Sequence, residues 1–132
     1  METFSYLASS DDIKNRTFKD WLSAHYSFGS PLHRYDGELT LGKEQLQYIG
    51  IDTKNNNAEY TLIIYKYQIE QLYHGFDEIF HMRETRGLGF DWKPIRIKII
   101  NDGVEENLYF ITYLQGGYNT EEWFNILKTW LS

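Results

Sequence analysis

The last thirteen residues, Thr120 to Ser132, constrain the fold most when set against what precedes them. Trp123, Phe124, Leu127, Trp130 and Leu131 fall at i, i+1, i+4, i+7 and i+8, the spacing of one helical face. Asn119 or Thr120 is placed to cap that helix, and Glu121 and Glu122 complement its dipole. Most of the sequence before it has a period of two, the signature of short strands. Full burial of five or six such side chains contributes roughly 8–15 kcal/mol gross, comparable with the net stability of a small domain. The helix therefore has to close a core built by the strands.

The strands follow in series. From Tyr35 the chain alternates: Leu39 and Leu41 point one way, Glu38 and Thr40 the other. Gly42 to Gln45 is a turn, and Leu46 to Ile51 returns as the second arm of a hairpin. Asp52 to Glu59 is a polar loop carrying Asn55-Asn56-Asn57. Tyr60 to Tyr67 is rich in β-branched and aromatic residues, and Ile69 to Tyr73 continues the sheet after a bend near Lys66-Tyr67. A weaker strand is expected over 79–83, and residues 84–94 form a long loop. Ile95, Ile97 and Ile99 alternate with Arg96 and Lys98. Asp102-Gly103 is a hairpin turn, and Leu108 to Leu114 is apolar on both faces, as in a strand sandwiched between layers. The predicted order is helix, about seven strands, helix.

The N-terminal segment, residues 1–34, is read apart from the strand-rich unit, residues 35–132, with both expected to form one compact body. Residues 1–9 are expected to be loosely ordered. An amphipathic helix is predicted over about 10–26, with Ser9 and Asp12 spaced as a capping box. Ile13, Thr17, Trp21, Ala24 and His25 form its apolar side, and Gly29-Ser30-Pro31 ends it.

Composition narrows the function. A chain of 132 residues with 42% apolar residues is one domain able to bury about two-thirds of its unfolded surface. Aromatics are 17% of the chain, including 11 Tyr; they suit a compact β core, or alternatively a Tyr-lined recognition groove. Thirteen basic against nineteen acidic residues, net charge −6, give no cationic footprint for nucleic acid or anionic membranes. There is no cysteine for disulfides or thiolate chemistry. The N-terminus lacks a basic region and a long apolar run, so no signal peptide is read, and no apolar stretch is long enough for a transmembrane helix. A cytoplasmic setting is the expectation.

No catalytic, cofactor or metal site is read. His25, His33, His74 and His81 show no ligand spacing, and the pairs Asp11-Asp12, Glu105-Glu106 and Glu121-Glu122 suit solvated faces and helix termini. Gly87-Leu88-Gly89 lacks the ending of a phosphate loop, and no nucleophile elbow is present. The candidate partner-binding feature is the loop Arg83 to Trp92, in which Arg83, Arg86, Phe90 and Trp92 are residue types of binding hot spots.

Residues 35–131 resemble a pleckstrin-homology-like domain of the GRAM or bacterial PH type. The matching pieces are YDGELTLGKEQLQYIGI, TLIIYKYQIEQLYHG, IRIKIINDGVEENLYFITYL and NTEEWFNILKTWL. The resemblance implies an α+β, mainly β fold: a curled antiparallel seven-stranded barrel capped by a C-terminal helix, here with an extra N-terminal helix. It implies a non-catalytic module that binds a protein or peptide through a strand edge or loops. Self-association through the N-terminal helix is a further expectation. Phosphoinositide binding does not carry over, since the first turn has only Lys43, followed by Glu44. The alternatives are a carrier of a small apolar or sugar-like ligand and an enzyme with an unrecognised site. The interaction-module reading predicts a barrel filled by its own side chains, with no pocket above about 300 Å³, whereas a large internal cavity would favour the carrier.

Overall fold

The computed structural model describes residues 1–15, 31–81, 93–115 and 117–132. Its elements in order are β1 (Glu2–Ser9), α1 (Ser10–Lys14), β2 (Tyr35–Leu41), β3 (Gln45–Asp52), β4 (Ala58–Tyr65), a 3₁₀ turn (Lys66–Gln68), β5 (Ile69–His74), β6 (Ile95–Asn101), β7 (Val104–Leu114), β8 (Gly117–Tyr118) and α2 (Thr120–Leu131). One antiparallel sheet runs β4-β3-β2-β1-β7-β6-β5, with the short β8 paired to β7. It curls into a half-barrel around one core, and α2 packs against β5 and β7.

Residues 1–9 are not loosely ordered. Residues 2–9 form β1, the middle strand of the sheet, pairing with β2 on one side and β7 on the other. The expected strand over 79–83 is also corrected. Ile79 and Phe80 lie in a turn, where the Asp77 carboxylate accepts their backbone N–H groups at 2.9 and 2.7 Å. Such a local side-chain bond competes with a strand ladder; Met82 and Arg83 lie outside the described residues. Seven long strands are present among the described residues, but the set differs from the expected one by gaining β1, and residues 79–81 are not in a strand.

The other strands form where alternation places them. Leu39, Leu46, Tyr48, Ile64, Ile95, Ile97, Leu108 and Phe110 point into the barrel, where Trp123 and Leu127 of α2 meet them. A second apolar cluster covers the outer face of β1 and β7: Ile13 of α1, Leu32 and Phe80 pack on Ala8, Tyr109 and Ile111. That layer is why β7 reads as apolar on both faces. Asp102 and Gly103 take φ of 52° and 79° in the turn between β6 and β7. Gly37 and Gly50 face each other across β2 and β3, and a Cβ on either would come within 2.4 Å of opposing backbone.

The capping box forms as read. Ser9 Oγ accepts from the Asp12 N–H at 3.1 Å, and Asp12 Oδ2 accepts from the Ser9 N–H at 2.9 Å. The helix it starts ends at Lys14, with Asn15 as its C-cap, short of the expected end near residue 26; residues 16–30 lie outside the described residues. No helix among the described residues is long and apolar enough to cross a membrane.

Candidate functional site

The expected binding loop, with Arg83, Arg86, Phe90 and Trp92, lies outside the described residues. What the described residues bring together is a different site, at the corner where β4 turns into β5.

The corner is built by backbone. Gln68 Oε1 accepts from the Tyr65 N–H at 2.8 Å, and the Lys66 N–H donates to the Glu44 carbonyl at 2.9 Å. These bonds hold one 3₁₀ turn, so Tyr65 and Tyr67 come to the same side. Their rings stack with centroids 5.6 Å apart and planes 9° from parallel. Tyr67 is 84% exposed. Burying one tyrosine normally removes well over 100 Å² of surface from water, so a ring left this open is unused contact area.

The ring pair borders a cleft of about 630 Å³, above the roughly 300 Å³ ceiling expected of a self-filled barrel, though it is open to solvent rather than an enclosed cavity. Its second wall is β5. Ile69 and Leu72 line the cleft and also pack on the barrel core. The register between β5 and β6 shifts between Ile69 and Gln71, so Glu70 has no residue opposite it, and it too lines the cleft. β5 is an edge of the sheet, pairing with β6 on one side and with no strand on the other among the described residues. Leu131 of α2 also lines the cleft.

Trp130 sets the position of that helix end. Its Nε1 donates to the Gly42 and Lys43 carbonyls at 3.0 and 3.1 Å, and the Lys66 ammonium sits 5.1 Å from its ring centroid. The face Trp123, Phe124, Leu127, Trp130 and Leu131, read as wholly core, is thus divided. Trp123 and Leu127 are buried, Phe124 and Trp130 are partly buried, and Leu131 lines the cleft.

Two polar clusters elsewhere are tied up internally. Arg34 makes a bidentate pair with Asp52 at 3.1 and 2.9 Å and reaches Asp12 at 3.0 Å. The Arg34 guanidinium holds the Asp52 carboxyl below the usual range, against burial. Asp77 accepts from Arg96 at 2.9 Å and from the Tyr109 hydroxyl at 2.8 Å. Burial works to raise the Asp77 carboxyl, but the Phe80 N–H, Arg96, Tyr109 and the Ile79 N–H together bring it below the ordinary value. Both clusters fasten loops to the sheet: Arg34 joins the approach to β2 to α1 and the end of β3, and Asp77 pins the loop after β5 onto β6 and β7. Among the described residues no group of three or more His, Cys, Asp or Glu is placed to hold a metal.

The Tyr65-Lys66-Tyr67 triplet was legible as a bend but not as a site, since an alternating aromatic pair is also what a strand presents. Comparison of the chain with protein-family models, with curated proteins and with solved structures finds no match.

Proposed function

We propose that this protein is a non-catalytic interaction module of pleckstrin-homology-like type that docks an extended segment of a protein or peptide partner in the cleft between Tyr67 and β5. The strand order β4-β3-β2-β1-β7-β6-β5 with a helix after the last long strand supports that reading of the fold. In this reading β1 is part of the barrel, and residues 10–34 are an insertion between its first two strands.

The observation that carries the docking reading is the exposed Tyr67 beside a strand edge that pairs with no further strand among the described residues. An edge strand offers backbone N–H and C=O groups as a template for one more strand, and flanking pockets select its side chains. Tyrosine supplies large contact area with only two torsions to order. The cleft volume of about 630 Å³ also falls in the range of small-ligand sites. That favours a small-ligand reading second, but the cleft is open to solvent, whereas carriers enclose their cargo.

The test is selection of a displayed random peptide library on the immobilised full-length chain. Enriched peptides should bind the wild type, and Tyr67→Ala should weaken them at least about tenfold, the scale of a hot-spot residue. Enriched peptides that bind Tyr67→Ala as well as wild type would overturn the placement. An absence of enrichment alongside capture of a small apolar or sugar-like probe at the same tyrosine would favour the second reading.

A further inference from the structure

The cleft carries a charge bias. Its charged side chains are Glu44, Glu70 and Lys66. The lysine stands over the Trp130 ring, at 5.1 Å, and offsets one of the two carboxylates, so the lining carries one net negative charge. Glu44 and Glu70 are exposed. They approach the cleft from separate elements, Glu44 from the β2–β3 turn and Glu70 from the irregular register of β5. The outer face of Tyr67 adds a ring quadrupole, negative at its face, which attracts a cation. The whole chain, at −6, adds long-range attraction for the same sign of partner.

Resting on the docking reading above, we infer that the segment bound in this cleft is basic: an extended peptide whose Arg or Lys side chains lie over Tyr67 and beside Glu70 and Glu44. Alternation along a strand sends every second side chain to the same face, so residues two apart in the peptide would meet the ring and a carboxylate in turn. Arginine suits both contacts, since its guanidinium stacks on aromatic faces and pairs with carboxylates through its fork of donors.

The test uses the full-length chain and three labelled synthetic peptides of equal length: Val alternating with Arg, Val with Ser, and Val with Glu. Binding is read by fluorescence anisotropy at low and at physiological salt. The Arg peptide should bind most tightly and weaken as salt rises. Glu70→Lys should weaken it about fivefold or more and should improve binding of the Glu peptide. The exposed position of Glu70 leaves the fold intact, which circular dichroism checks. Glu121→Lys removes the same charge at the start of α2, about 15 Å of helix from Leu131, and should leave affinity nearly unchanged. Equal losses in Glu121→Lys and Glu70→Lys would reduce the effect to net charge and overturn the inference. Equal or tighter binding of the Ser or Glu peptide, lost in Tyr67→Ala, would overturn the basic preference while leaving the docking reading standing. Failure of all three peptides, together with failure of the library selection, would remove both.

Discussion

Thr112 shows how far one buried side chain departs from pattern. It sits on β7, fully buried, and its Oγ1 has no hydrogen-bond partner among the described residues. Opposite it on β1 is Ser5, also fully buried. The inner face of β1 therefore starts with Thr3 and Ser5 before reaching Leu7, while Phe4 on the outer face is 45% exposed. This is why the first strand was not legible. Its apolar alternation at Phe4 and Tyr6 marks the wrong face, and its inner residues are polar. An unmade hydrogen bond at a buried hydroxyl costs about 1–3 kcal/mol. Thr112→Val, nearly the same shape, is expected to stabilise the protein by roughly 1 kcal/mol in urea unfolding.

Asp52 and Asp77 set the acid limb at the same scale. Both carboxyls lie below their ordinary value when folded, Asp52 chiefly through Arg34 and Asp77 because its hydrogen bonds outweigh burial. Unfolded aspartate titrates near pH 4. The stabilisation they give is complete above that point and is lost as pH falls through the depressed folded values. The contribution of these two carboxylates should hold from neutral pH down to about pH 5 and drop below about pH 4. Asp77→Asn should reduce stability at pH 7 and flatten the drop, as read by denaturant midpoints across pH.

At the scale of elements, the hairpins were the most legible parts. Leu39 and Leu41 against Leu46 and Tyr48, and Ile95, Ile97 and Ile99 before Asp102-Gly103, form the ladders that the alternation indicates. The 79–83 segment misled because Ile79 and Phe80 are apolar yet held in a turn by Asp77, two and three residues earlier. The closing helix was legible as a plug, but not the use of its last turn, where Trp130 bonds the β2–β3 turn and Leu131 reaches the cleft. The Gly37–Gly50 crossing is not legible in the sequence, since a glycine within a strand pattern does not name the backbone it approaches. A Cβ at position 50 would lie 2.3 Å from the Asp36 carbonyl oxygen. Gly50→Ala should therefore cost more than about 2 kcal/mol, through backbone crowding rather than lost burial. A midpoint shift under about 0.5 kcal/mol would show that the two strands can separate locally.

On the scale of the whole molecule, β1 joins what the sequence divides. With β2 on one side and β7 on the other, residues 2–9 tie the hairpin-rich half to the half that carries β5–β7 and α2. The sheet then ends on β4 and β5, and the chain crosses between those two edges through the Lys66–Gln68 turn. The exposed tyrosines are thus at the one corner where the sheet's two edges meet in sequence, next to the end of the closing helix. Chemical-shift mapping tests this account most directly, with the labelled full-length chain titrated with a peptide enriched on it. Docking on β5 predicts that the largest shifts fall on Tyr65 to Leu72 and Leu131, with slowed amide exchange along Ile69–His74. Shifts centred instead on the outer face of β3 and β4, at Ile49, Ile51 and Ile63, would contradict it.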